Sequence, residues 1–150
     1  MPTISVTTEI EASPEHCFDL ARDVEVHCRT AAFSQEKAIG GTSRGLLNLG
    51  DIVTFEGVHF GIRQRLTARI VEFERPNRFV DEMVSGAFAA LRHVHEFTAR
   101  GTTTVMTDTI TWSSPLGVLG KLADLFIAPH LRSFLQRRNR ELKRIAEMKS

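Results

Sequence analysis

Residues 78–97, RFVDEMVSGAFAALRHVHEF, decide how this chain folds. Alternation with a period of two puts Phe79, Asp81 and Met83 on one face of a strand. A turn follows at Ser85-Gly86-Ala87, and Leu91, His93, His95 and Phe97 then share one face of the next strand. Both faces mix large apolar side chains with titratable ones, which a surface meant only for packing avoids. Buried Asp and His must be paired, hydrogen-bonded or put to use, because an isolated buried charge is very unfavourable. The stretch therefore reads as the polar end of an otherwise apolar pocket.

Strands dominate on either side of it. Asp51–His59, Ile62–Glu74, Arg78–Val84, Leu91–Ala99 and Thr102–Trp112 each alternate and are separated by turn chemistry. Gly57 and Gly61 flank the first hairpin, Arg75-Pro76-Asn77 forms the second turn and Arg100-Gly101 a tight fourth. Upstream, Thr3–Glu11 is a half-buried strand, followed by a short helix capped by Ser13 with Pro14 at its first position. A second helical segment covers Val24–Thr30, and Lys37–Gly40 is a short edge strand in a Gly-rich stretch. From Pro115 the period becomes helical through Leu119, Leu122, Phe126, Leu131, Phe134, Leu135, Leu142 and Ile145, with a kink or restart expected at Pro129. The order predicts an α+β fold: a six- to seven-stranded antiparallel sheet, two short helices after strand 1, and one long C-terminal helix across the concave face. The space between sheet and helix is the natural place for a cavity.

Composition narrows the function. The 150 residues are 42% apolar and 25% charged with a net charge of +1, so they make one ordinary globular domain with no general drive toward nucleic acid or anionic membrane. No signal-peptide pattern and no apolar run near the ~18 residues of a membrane span is present, so Cys17 and Cys28 are expected reduced in a cytoplasmic setting. Tyrosine is absent, leaving proton chemistry to His, Asp, Glu, Lys or Cys.

Three stretches carry a resemblance. GDIVTFEGVHFGIRQRLTARIVEFERPNRFVDEMVSG (50–86), HVHEF (93–97) with TTTVMTDTITW (102–112), and SSPLGVLGKLADLF (113–126) together resemble the helix-grip fold of the START-like superfamily, also called SRPBCC. The polyketide cyclase/dehydrase and coenzyme-Q-binding-like branches are nearest in pattern. The resemblance spans nearly the whole chain and rests on fold and spacing rather than on a catalytic signature. It implies a pocket for a hydrophobic small molecule such as a lipid, quinone or polycyclic compound. It does not imply a reaction, because that superfamily holds both carriers and enzymes.

Register decides how the polar residues meet. If Arg100-Gly101 is a two-residue loop, His93 faces Asp108, His95 faces Met106 and Phe97 faces Thr104; a four-residue loop would put His95 opposite Asp108. Either keeps His and Asp on one face, and Asp81 joins from the neighbouring strand. Three readings stay open: a satisfied polar core pinning register, imidazoles aimed at a carbonyl or hydroxyl of a ligand, or acid–base catalysis by His93, His95, Asp81 and Asp108. No metal or other cofactor is called for: the His-x-His pattern alone is common, and the pairs His16-Cys17 and His27-Cys28 point in divergent directions on a helix.

The proposed ligand wall comprises Val53, Phe55, Leu66, Phe79, Met83, Leu91, Phe97, Met106 and Ile110, joined from the helix by Leu122 and Phe126. His59 is a rim candidate near a hairpin, with an exposed turn histidine as its ordinary alternative. Gln64 faces inward, where pairing with backbone is the default. Arg63, Arg65 and Arg69 form an outer basic stripe that Glu56 partly neutralises, without the exposed aromatics of a nucleic-acid groove. The cluster Arg132, Arg137, Arg138, Arg140, Lys143 and Arg144 suits the negative end of the last helix and leaves open a weak contact with an anionic membrane. No phosphate-binding glycine loop or nucleophile elbow occurs.

The expected function is binding of a hydrophobic small molecule, with transport as its extension, by a monomer or homodimer. The alternative is a polyketide cyclase/dehydratase-type enzyme using the His/Asp cluster. A protein-interaction module built on the basic final helix is a third class, which predicts a filled cavity.

Overall fold

The computed structural model describes residues 1–148. Thr3–Ile10 (β1) leads into two short helices, Pro14–Ala21 (α1) and Val24–Thr30 (α2), and a 3-10 turn at Ala32–Ser34. Ser13 caps α1 by accepting from the His16 N–H, and Asp23 caps α2 by accepting from Glu25 and Val26, so each start lies where its capping side chain is. Lys37–Gly41 (β2), Ile52–His59 (β3), Ile62–Glu74 (β4), Arg78–Ser85 (β5), Ala90–Arg100 (β6) and Thr103–Ser113 (β7) then form a meander, closed by the helix Gly117–Glu147 (α3).

All neighbours pair antiparallel in the order β1-β7-β6-β5-β4-β3-β2, with β1 and β2 at the edges. This is the helix-grip arrangement. The expected kink or restart at Pro129 does not divide α3, which runs as one element through that residue. Proline has no N–H to donate to the preceding turn, but packing on both sides carries the helix across the gap.

Register is the second of the two expected, with His95 opposite Asp108, but it is reached with a two-residue loop. The β6–β7 loop is Gly101-Thr102, flanked by the pair Arg100↔Thr103, and Gly101 takes the left-handed conformation at φ 62°. Shifting the two-residue loop by one position moves the pairing by two. His95 therefore faces Asp108, Phe97 faces Met106 and His93 faces Ile110. The period-two face is preserved, so both histidines still point inward.

The interior divides in two. At one end α1 plugs the sheet: Phe18 meets Phe73, Phe79 and Phe97 edge-on at 5.3, 5.2 and 5.4 Å, with Met106, Leu142 and Ala146 closing the cluster. Along the other side Ile4, Val6, Leu91, Ile110, Trp112 and Leu135 pack together, with Ile127 and Leu131 against them. The Trp112 indole N–H donates to Asp124 Oδ1 at 2.9 Å, which ties the start of α3 to β7. Between these clusters the N-terminal half of α3 spans the sheet without filling the space beneath it.

Candidate functional site

That space is a cavity of about 430 Å³ bounded by β3, β4, β5, β6, β7 and α3. Val53, Phe55, Leu66, Ala68, Ile70, Leu91 and Ile110 supply its sheet wall, and Ala123, Ile127, Leu131 and Leu135 its helix wall. Two polar groups break into this apolar lining.

The first is the His/Asp cluster. His95 lies opposite Asp108 and His93 opposite Asp81, yet each imidazole bonds to the diagonal carboxylate. His93 Nε2 lies 2.7 Å from Asp108 Oδ1, and His95 Nε2 lies 2.8 Å from Asp81 Oδ2. The two rings stack at 3.7 Å with an interplanar angle of 21°. Asp108 is fully buried, and α3 reaches in to meet it: Arg138 Nη2 donates to Oδ1 at 3.0 Å and Asn139 Nδ2 to Oδ2 at 2.8 Å. Burial alone would raise the Asp108 carboxyl, but the Arg138 charge and the His93 hydrogen bond outweigh it and hold it far below the usual range. Burial and the neighbouring His93 push His95 down to about 4. A neutral His95 must then carry its proton on Nε2, facing Asp81. Its Nδ1, buried and 3.4 Å from Asp108 Oδ1, has no hydrogen-bond partner.

Asp81, His93 and His95 place ligand atoms within 4.8 Å of one another, which invites a metal. Stacked rings, however, send their in-plane lone pairs along nearly parallel lines instead of converging on one point. Both Nε2 atoms also already face carboxylates. The group is built as a hydrogen-bonded network that locks α3 onto the sheet.

The second polar group contains the rim candidate His59, but its central residue, Glu36, and its other histidines were missed by sequence reasoning. Glu36, from the stretch between the 3-10 turn and β2, lies on the cavity wall between two imidazoles. Its Oε1 is 3.5 Å from His27 Nε2 and its Oε2 is 3.5 Å from His59 Nε2. His59 Nδ1 in turn meets His130 Nε2 on α3 at 2.9 Å, and Phe60 lies 4.4 Å from the His130 ring. Gly57 makes the niche, because a Cβ there would collide with Glu36 Oε2. Burial would raise Glu36, but interaction with His27 and His59 brings it down to about 2, while burial lowers His27.

The candidate residues divide by location. Val53, Phe55, His59, Gln64, Leu66, Asp81, Leu91, His93 and Ile110 line the cavity. Gln64 also donates to the His59 carbonyl at 3.1 Å. Phe79, Phe97 and Met106 belong instead to the filled cluster around Phe18, and Met83 packs beside the Trp112 cluster. His95 and Asp108 lie one layer behind the wall, with His93 between them and the cavity. Leu122 and Phe126 are on the wrong side of α3, 57% and 70% exposed. Helical phase explains this: Gly120, Ala123, Ile127, His130, Leu131 and Phe134 face inward, which leaves Leu122 and Phe126 on the outer side. Arg138, placed by sequence in a surface basic cluster, is buried and serves Asp108. Substituting Leu122 or Phe126 with glutamine is expected to change stability by no more than about 0.5 kcal/mol, measured by urea denaturation.

No protein-family model matches the chain, and no curated protein matches it. Solved structures do. TTHA0849 from Thermus thermophilus superposes with a TM-score of 0.81 at 18% identity, covering 99% of each chain. Protein Ms6760 from Mycobacterium smegmatis gives 0.75 at 14% identity over 99% of this chain and 92% of that one. Ginseng major latex-like protein 151 from Panax ginseng gives 0.74 at 14% identity over 97% of each. At such identities the likeness is one of fold, and the fold shared is the helix-grip arrangement described above. Among the described residues no helix is long and apolar enough to cross a membrane.

Proposed function

We propose that the protein binds a hydrophobic small molecule carrying a polar group, held between the sheet and the first half of α3. The observation that supports this is the unfilled cavity itself, apolar around most of its wall and polar at two places. Burying apolar ligand surface there contributes about 25 cal/mol per Å², less the ordering cost of binding. The polar groups then fix orientation. The likeness to ginseng major latex-like protein 151, a protein of the same fold, is compatible with this reading and names no ligand.

Native mass spectrometry of purified protein, followed by organic extraction, tests it. Release of a stoichiometric apolar molecule, or uptake of one from a panel of lipids, quinones and polycyclic compounds, is the expected result. A protein that neither carries nor takes up any of them has no such function.

One observation favours a second reading as a cyclase/dehydratase-type enzyme. His93 stands on the cavity wall with its Nε2 held by Asp108, the arrangement that positions an imidazole for general acid–base work. His95, behind the wall, would then be a positioning residue.

A further inference from the structure

The cavity wall carries two carboxylates whose ion-pair contacts, among the described residues, are with histidines alone. Among the described residues, Glu36 forms ion-pair contacts only with His27 and His59, and Asp81 only with His95. The two arginines of the wall are already engaged, Arg138 with Asp108 and Arg65 with Glu56. His27 lies within electrostatic reach of both Asp81 and Arg138, so the two polar groups face a common space.

Glu36 is the less satisfied of the pair. Its side chain is 8% exposed, and buried Oε2 has no hydrogen-bond partner. Both imidazoles stand 3.5 Å away, beyond the 2.7–3.2 Å of a good N–H···O bond. The tautomers are set by the carboxylate, which repels a lone pair. When the rings are neutral, His130 Nε2–H then donates to His59 Nδ1, and the Nε2–H groups of His59 and His27 face Glu36 from either side. These are dipoles held at arm's length from a buried charge, in a niche that only the missing side chain of Gly57 leaves open. The imidazoles keep the carboxylate ionised, but buried Oε2 makes no hydrogen bond and is left as an open acceptor that a further donor can complete.

We infer that Glu36 is the recognition point for a cationic amphiphile, an apolar molecule bearing a protonated amine whose N–H groups bond Glu36 while its body fills the apolar cavity. This rests on the cavity-binding reading and narrows it: the ligand brings donors and positive charge, and a carboxylate-bearing lipid is repelled. Ammonium-to-carboxylate bonds are charge-assisted and roughly twice as strong as neutral ones.

The test uses isothermal titration calorimetry of the whole chain with decylammonium, decanol and decanoate below their micelle-forming concentrations, in buffer containing a chelator. Decylammonium is expected to bind about ten-fold or more tightly than decanol, with decanoate weakest. Glu36→Gln is expected to bring decylammonium level with decanol while decanol changes little. Equal or better binding of decanol or decanoate to the native chain overturns the inference and leaves the cavity reading standing. Failure of all three to bind overturns the inference, and the panel of lipids, quinones and polycyclic compounds then decides the cavity reading separately. A Glu36→Gln protein that keeps the amine preference removes Glu36 from the assignment. If that variant does not fold, the ranking on the native chain decides alone.

Discussion

Replacing Asp108 with alanine is expected to destabilise the protein by about 3–5 kcal/mol. Asp108 is fully buried and accepts from Arg138, from Asn139 and, in the tautomer its charge favours, from His93. Its loss strands the Arg138 guanidinium, only 4% exposed, in an interior where no second carboxylate among the described residues forms an ion pair with it. That uncompensated charge, more than the lost bonds, sets the size of the effect, and it would consume much of the about 5–15 kcal/mol a domain of this kind has. The double variant Asp108→Ala/Arg138→Met is expected to regain most of the loss, because exchanging both partners of a buried pair for apolar groups is often close to neutral. Urea denaturation of the two variants against the native chain decides between these terms. A single variant that loses under about 1 kcal/mol would mean that Arg138 finds water when Asp108 is gone, and that the network does not anchor α3.

The inward face of β5 and β6 was legible because its period is two and survives any even change of loop. The loop itself was not, since Arg100-Gly101 and Gly101-Thr102 are equally good turn pairs by composition and only the conformation of Gly101 separates them. The helix was legible as an element but not in phase. Leu119, Leu122, Leu125 and Phe126 are apolar and exposed, so hydrophobicity in the first turns pointed to the outer face, while Gly120 and Ala123 line the cavity there and large residues face it only from Ile127 onward. First turns that roof a cavity need no large residues beneath them, whereas apolar periodicity presumes a filled core. Arg138 was hidden for a related reason: among neighbouring basic residues nothing in its type marks it as the one that turns inward. The Glu36 site was the least legible. Its members come from α2, the turn region, the end of β3 and the middle of α3, far apart in sequence. The one local cue was Gly57, a glycine inside a strand pattern, which marks a close approach by another group. His27 and Cys28 do diverge on their helix, but that has no bearing on the site, because the partners of His27 come from elsewhere.

Stability is also expected to fall with acid in two stages. His95 ionises near pH 6.5 in the unfolded chain but only at about 4 in the folded one, held down first by burial and then by His93. As pH drops below 6.5 the unfolded chain takes up this proton and the folded chain does not, so the equilibrium moves toward unfolding. The contribution is fully present above pH 6.5 and is lost by pH 4; at about 1.4 kcal/mol per pH unit this is about 3 kcal/mol. His27 and His130, also lowered mainly by burial, act in the same direction. Glu36 governs the second stage. Its folded value of about 2 lies below the ordinary 4.5, so its contribution is present above pH 4.5 and disappears as pH falls toward 2. Asp81 and Asp108, lowered despite their burial, carry this loss further into acid. Urea denaturation at successive pH values checks both stages, and His95→Gln separates them, because glutamine can still donate to Asp81 but takes up no proton. That variant should lose the His95 share of the fall between pH 6.5 and 4.5 and keep that of His27 and His130, with the lower stage intact. A native chain equally stable at both ends of the upper window would mean that His95 is protonated as readily folded as unfolded. A positive charge would then lie beside Asp81, one layer behind the cavity wall, and the case for a cationic ligand would weaken with it.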